Sequence, residues 1–117
     1  MGSVYETKRF KNGKIGLPKP IVEKYFGDKL CITISPHPGL QVYSSERWEA
    51  FSDRAITMPK DTRNLMRHVF ARAQYVYIEK SGVLVPEDLA VYANLSDRVL
   101  IEENADGFTI SRVDVTL

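Results

Sequence analysis

The chain has 117 residues, of which 44% are apolar and 26% charged, and its formal net charge is +1. These values are typical of one globular domain and exclude both a disordered chain and a protein that coats nucleic acid through bulk charge. Because no apolar stretch reaches the roughly 18 residues of a membrane helix and the N-terminus lacks the apolar core of a signal peptide, we expect a cytoplasmic protein without membrane partners.

The first predicted element is a β-hairpin. Val4 to Phe10 is rich in β-forming residues, Asn12-Gly13 is a favoured two-residue turn, and Lys14 to Leu17 returns as the second strand. Pro20 fixes φ for a first helical turn, which predicts a short helix from about that residue to just before Gly27. Two further strands are predicted at Leu30 to Ser35 and Leu40 to Tyr43, joined by PHPG.

Two helices are predicted next. Ser45 is placed to cap the first helix, with Glu46 in its first turn, and Asp61 or Thr62 is placed to cap the second. In the second helix, apolar residues recur at intervals of three and four, namely Leu65, Met66, Val69, Phe70 and Ala73. This stripe predicts packing against the core, and a groove for a partner is the alternative.

The remaining sequence predicts the same order of elements as the first segment. The predicted elements are strand Tyr75 to Ile78, turn EKSG, strand Val83 to Val85, helix Pro86 to about Ala93, strand Val99 to Glu102, turn NADG and strand Phe108 to Arg112. Each segment is therefore predicted to have the order β-β-α-β-β.

Sequence similarity between the two segments indicates a duplication. KIGLPKPIVEKY is echoed by GVLVPEDLAVYA, which aligns Ile15 with Val83. GDKLCI is echoed by SDRVLI with the alignment shifted by a single position, and PGLQVY then matches DGFTIS in the original alignment, with Gly39 on Gly107. Three matches in the same order predict a first copy at 4–43, connecting helices at 44–73 and a second copy at 74–112.

Positive charge is concentrated around the first turn, in KRFKNGKIGLPKP. Up to Pro59 the chain carries nine Lys and Arg against six Asp and Glu, and from Lys60 onward it carries seven against nine. Such a cluster is suited to DNA phosphates, and the alternative is an edge strand whose charges discourage aggregation. The candidate DNA-binding residues are Lys8, Arg9, Lys11, Asn12, Lys14 and Lys19.

Four strings, in order, resemble the MraZ family of bacterial regulators: YETKRFKNGKIGLP, PGLQVYSSERWEAF, RHVFARAQYVYIEKSGVLVP and LAVYANLSDRVLIEENADGFTISR. The resemblance implies an α+β fold with two tandem AbrB-type swapped-hairpin half-barrels. These would interlock into one intramolecular pseudo-two-fold barrel, with two connecting helices between them. It also implies a ring-shaped homo-oligomer that binds double-stranded DNA at repeated promoter sites of a division and cell-wall operon, its own gene included, and is nucleoid-associated.

The chain departs from the family at a motif that the resemblance places at each hairpin turn, an Asp followed by three residues and then an Arg. Counting back from the proline that follows each turn puts Phe10 and Lys14 at these positions in copy one, and Ile78 and Gly82 in copy two. Aligning on the turn glycine instead puts Val83 at the second Arg position. A lysine is a point charge, whereas an arginine can fork across a phosphate or a guanine edge, so Lys14 is better suited to attraction than to reading a base.

Two functions of different class follow from these residues. The first is a sequence-dependent DNA-binding regulator, for which about four neutralised phosphates would give a log-log salt slope of about −3.6. The second is an oligomeric interaction or structural protein that has lost specific DNA reading, and an AbrB-type antitoxin module is a third option.

No catalytic residue, metal site, cofactor or small-molecule substrate is predicted. Cys31, His37 and His68 are widely separated, which gives neither a zinc pattern nor a recognisable Cys-His nucleophile. NGKIG has neither the spacing nor the ending of a phosphate-binding P-loop. The sequence therefore predicts a protein that is not an enzyme.

Overall fold

The computed structural model describes residues 4–35 and 39–113, and of Leu65 it describes the backbone alone. The strands are β1 (Val4–Lys8), β2 (Lys14–Gly16), β3 (Leu30–Ile34), β4 (Leu40–Ser44), β5 (Gln74–Val76), β6 (Ile78–Glu79), β7 (Gly82–Leu84), β8 (Arg98–Asn104) and β9 (Gly107–Arg112). The helices are α1 (Lys19–Tyr25), α2 (Ser45–Ile56), α3 (Lys60–Ala71) and α4 (Glu87–Tyr92). The predicted α+β class is confirmed, and so is the predicted order of helices and strands, except that the predicted strand at 75–78 is two strands, β5 and β6.

The strands form two antiparallel sheets. One sheet has six strands in the order β1-β8-β9-β4-β3-β5, and the other has three in the order β2-β7-β6. β3 is buried along its whole length, because α3, α4 and the neighbouring strands cover it. Among the residues that the structure describes, no helix is long and apolar enough to cross a membrane.

Strand pairing is symmetric under exchange of the two copies. β1 of copy one pairs with β8 of copy two, with Thr7 opposite Val99, and β5 of copy two pairs with β3 of copy one, with Val76 opposite Leu30. The alignment of GDKLCI with SDRVLI makes Leu30 the repeat equivalent of Val99, and the same displacement takes Thr7 to Val76. On the axis of this symmetry, Ile15 lies opposite its own repeat equivalent, Val83. The strand register thus relates the same residues that the sequence alignment of the two copies relates.

The predicted local hairpin is present only next to its turn, where Arg9 pairs with Ile15, and β1 itself pairs with β8. β1 and β2 belong to different sheets. Next to the turn, the isolated β-bridge between Arg9 and Ile15 links the two strands. The predicted strand at 75–78 is likewise divided, with β5 in one sheet and β6 in the other. β1 forms five residue pairs with β8 in the large sheet, and β2 forms three residue pairs with β7 in the small sheet.

The predicted helix caps are also wrong, although the helices are present. The Ser44 hydroxyl, and not that of Ser45, accepts the backbone N–H of Arg47 at 3.3 Å and so caps α2. Ser45 instead donates its hydroxyl to the carbonyl of Lys29 at 2.6 Å. Pro59 is the residue before α3, and Asp61 and Thr62 lie inside that helix.

An aromatic cluster joins the two connecting helices to the large sheet. Trp48 on α2 lies 5.2 Å from Tyr43 on β4 and 5.3 Å from Phe70 on α3, measured between ring centroids. Val69 is buried, and Met66, Phe70 and Ala73 are partly buried against the core, which confirms core packing for these four residues of the predicted stripe. Of the predicted turn PHPG, residues 36–38, which include His37, lie outside the described residues.

Candidate nucleic-acid interface

The turn of copy one is a loop of three residues, where two were predicted. The Phe10 N–H donates to the Lys14 carbonyl at 2.8 Å, and the Gly13 N–H donates to the Phe10 carbonyl at 2.9 Å. Gly13 has φ +87°, a left-handed conformation that closes three-residue hairpin loops and favours glycine. The Asn12 side-chain oxygen also accepts the Lys14 N–H at 3.0 Å. These bonds fix a loop that leaves Lys11 and Asn12 exposed at its tip.

The turn of copy two is shorter. Glu79 pairs with Gly82, which leaves Lys80 and Ser81 as a two-residue loop with φ of 47° and 66°. Positive φ at both central residues defines a type I′ turn, whose twist matches that of the flanking strands. This turn is therefore built from two residues that lack the conformational freedom of glycine.

Each turn accepts a hydrogen bond from the residue that follows the small-sheet strand of the other copy. The Leu17 N–H of copy one donates to the Ser81 carbonyl at 2.9 Å, and the Val85 N–H of copy two donates to the Gly13 carbonyl at 3.2 Å. These two bonds are repeat equivalents, since the alignment of Ile15 with Val83 also places Leu17 on Val85 and Gly13 on Ser81. The turns consequently lie side by side on the small sheet.

Lys14 reaches across this sheet to the turn of copy two. Its ammonium donates to the Lys80 carbonyl at 3.4 Å. The stem of Lys14 crosses Gly82, where a Cβ atom would lie 2.6 Å from the lysine Cε and 2.8 Å from the Ile15 carbonyl oxygen. The symmetric register, with Gly16 opposite Gly82, favours the alignment in which Gly82 is the repeat equivalent of Lys14.

Three lysines meet in one depression beside the two turns. It has a volume of about 760 Å³ and is lined by Phe10, Lys11, Asn12, Lys14, Gly16, Lys80 and Ser81. Within the described residues, none of the four ion pairs involves Lys11, Lys14 or Lys80. We call these three residues the lysine cluster. Their charges are therefore not neutralised by carboxylates of the described residues, and the Lys14 ammonium donates only to a carbonyl.

The other basic residues near the first turn lie in different surroundings. Arg9 is mostly buried, with 21% of its side chain exposed, and pairs with Glu87 on α4 at 3.4 Å. Lys19 pairs with Glu23 one helical turn away at 3.8 Å. Lys8 is exposed on β1, on the register position opposite Arg98.

Comparison with curated proteins gives the family. The chain is 32% identical over 101 residues to "Transcriptional regulator MraZ" of Acetivibrio thermocellus, which covers 83% of this chain and 70% of the relative. It is also 32% identical over 93 residues to the protein of that name from Caldicellulosiruptor saccharolyticus, covering 76% of this chain and 64% of the relative. The chain belongs to the MraZ family. No family model matches the sequence.

The relatives are named transcriptional regulators and not enzymes, in line with the prediction from sequence. The chain spans slightly less than two thirds of the length of the Caldicellulosiruptor MraZ protein. A third relative, from Clostridium tetani, is 28% identical over 91 residues and has the same name.

In this member of the MraZ family, the six candidate residues are thus not one surface. The structure brings Lys11, Asn12 and Lys14 together and leaves Lys8, Arg9 and Lys19 outside the depression. The sequence analysis missed Lys80, which is the repeat equivalent of Asn12 and could have been found by aligning the two turns.

Cys31 is poorly suited to nucleophilic chemistry. The side chain is buried in β3, and burial raises the pKa of its thiol to about 11. Because the thiolate is the reactive form, a thiol with this pKa is almost entirely protonated at neutral pH.

Proposed function

We propose that this protein is a DNA-binding transcriptional regulator of the MraZ type. It acts in the cytoplasm, at the nucleoid, as a ring-shaped homo-oligomer on repeated promoter sites of a division and cell-wall operon. The observation that supports this most directly is the lysine cluster, in which both copies contribute cations to one open depression. The name of the relatives supports the regulatory role.

The lysine cluster suits phosphate better than it suits base edges. Each neutralised phosphate contributes about −0.9 to the log-log salt slope, so three lysines give about −2.7 per subunit. Such a site is weak alone, and a ring that presents several copies to repeated sites raises the avidity without any new contact. Lys8, on the exposed side of β1, is the remaining predicted residue placed to add a phosphate contact.

We also propose the finer architecture that the family resemblance implies. Residues 4–43 and 74–112 form two AbrB-type half-barrels that interlock as one pseudo-two-fold barrel, with 44–73 as connecting helices. Support comes from the exchanged pairing of β1 with β8 and β5 with β3, and from the mutual hydrogen bonds of the two turns.

The test is a titration by fluorescence anisotropy at two salt concentrations, with duplexes carrying the protein's own upstream region or a shuffled sequence. Lys14→Ala should weaken binding and reduce the salt slope by about 0.9, since one phosphate contact is lost. Lys19→Ala is the matched control, because that exposed lysine lies outside the depression and pairs with Glu23. Equal binding by both variants and the parent protein would contradict the assignment of the interface.

A second candidate function is an oligomeric interaction or structural protein that no longer reads DNA. It is favoured by a groove of about 760 Å³ between α2 and α3, with Ile56 74% exposed beside Met66 and Phe70. Lys60, Arg63 and Arg67 also line this groove. Ile56→Glu should lower the oligomeric state measured by sedimentation velocity. Loss of assembly together with absence of DNA binding in the parent protein would favour this candidate over the first.

A further inference from the structure

We propose that Phe10 reads thymine, through contact of its ring with the C5-methyl group in the major groove. This inference rests on the proposed function, because it names the base that the same interface recognises. It assigns to Phe10 the specificity that lysines alone do not supply.

The first observation is the position of the ring. Phe10 lines the depression with the lysine cluster, and 51% of its surface is exposed. Its ring Cε2 lies 3.9 Å from the Cβ that an alanine at position 16 would have, so the ring borders the floor of the depression at Gly16. Phe10 and the three lysines of the cluster thus line the same depression.

The second observation is that the backbone of Phe10 is held in place. The Phe10 N–H and carbonyl are both bonded within the loop, to the Lys14 carbonyl and the Gly13 N–H. The backbone at this position is therefore ordered before a ligand binds, and pre-ordered groups bind at a smaller entropic cost. The fixed position makes Phe10 suitable for a directed contact.

The chemical groups that bases present in the major groove indicate which base Phe10 contacts. A carboxylate at this position could accept a hydrogen bond from the amino group of cytosine, whereas a phenyl ring cannot accept one. The apolar group that the major groove presents is the thymine methyl, and phenylalanine is among the side chains that contact it. Because about half of the surface of Phe10 is covered by the protein, this residue is better placed for contact at the groove surface than for insertion between base pairs.

The experiment compares the protein's own upstream duplex with a duplex of the same sequence in which every thymine is replaced by uracil. This replacement removes the methyl groups and leaves the hydrogen-bonding edges and phosphates unchanged. We expect the parent protein to bind the uracil duplex about fourfold more weakly for each methyl contacted, which corresponds to one buried methyl group. Phe10→Ser should bind both duplexes equally, and Phe10→Leu should retain the preference.

Each outcome separates this inference from the proposed function. Equal binding of both duplexes by the parent protein would overturn the role of Phe10 and leave the regulator intact, whereas no binding to either duplex would overturn both. A 2-aminopurine probe that brightens on binding in a Phe10-dependent way would indicate unstacking and insertion, which also overturns the methyl contact. If Phe10→Ser does not fold, as judged by thermal unfolding, Phe10→Asn takes its place. A folded variant that lacks an apolar side chain at position 10 and still prefers the thymine duplex would overturn the role of Phe10.

Discussion

The two copies have the same strand pairing and different turns. Copy one closes with three residues and a left-handed glycine, whereas copy two closes with Lys80 and Ser81, both at positive φ. At the repeat position where copy one carries Lys14, copy two carries Gly82, and the lysine of one copy lies across the glycine of the other. Both sheets depend on the strand pairing, which is the same in the two copies. The turns differ, because Lys14 of copy one needs the space that Gly82 of copy two leaves.

The largest effects are expected at two repeat-equivalent glycines, Gly39 just before β4 and Gly107 at the start of β9. A Cβ at Gly107 would lie 2.1 Å from the Val42 carbonyl oxygen, and its φ is +152°. A Cβ at Gly39 would lie 2.8 Å from the Ile110 carbonyl oxygen. Gly107→Ala should therefore lower the free energy of unfolding by about 3 kcal/mol or more, and Gly39→Ala by less. Urea unfolding of both variants checks the order, and equal losses would show that the two copies tolerate a methyl group alike.

A smaller effect is expected at the cross-strand pair in the small sheet. Gly82→Ala should destabilise the protein by about 1–3 kcal/mol, because the new methyl group meets the Ile15 carbonyl and the stem of Lys14. Gly16→Ala is the matched control, since the nearest atoms to its Cβ are 3.9 Å away. Thermal unfolding of the two variants measures the difference, and a tolerated Gly82→Ala would contradict the crossing of Lys14 over this position.

The type I′ turn of copy two offers a stabilising change. Ser81→Gly should raise the free energy of unfolding by about 1 kcal/mol, because glycine adopts φ 66° without the steric cost of a Cβ atom. Lys80 and its charge are kept, so DNA affinity should stay the same. A loss of stability in chemical denaturation would indicate that the Ser81 side chain contributes more than its backbone conformation costs.

The smallest effect is expected for Lys80, which tests whether both copies serve the interface. Lys80→Ala should weaken DNA binding about as much as Lys14→Ala, with a decrease of about 0.9 in the salt slope, because both ammonium groups border the same depression. Lys80→Arg keeps the charge and should retain the slope. An unchanged slope in Lys80→Ala would confine DNA contact to the turn of copy one.

The sequence predicted the structure correctly where a feature depends on residues that are close together in the chain. Pro20 predicted α1 to within a residue of its observed start at Lys19, and the apolar stripe on α3 predicted its inward face. The turn at Asn12-Gly13 was also found, although the loop has one residue more than predicted. These features depend on residues close together in the chain, so propensity and periodicity are enough to find them.

The errors concern partners that lie far away in the chain. The β-forming residues of β1 do not say that their partner is β8, because the turn that follows favours a local hairpin equally well. Ser44 and Ser45 are equally suited to capping α2 by type, and the distant contact of Ser45 with Lys29 separates them. The convergence of Lys14 and Lys80 likewise requires the register of β2 with β7, which no local pattern contains.

The exchanged pairing of β1 with β8 has a consequence for how the chain folds. Val4 finds its partner at Glu102, so this ladder closes a loop that includes nearly all of the described residues. Folding rates fall as the sequence separation of contacting residues rises, because the entropy of loop closure is lost before the contacts form. We therefore expect refolding to be slow for a domain of this size. A nascent chain that has only copy one would expose the unpaired edges of β1 and β3 until the second copy arrives.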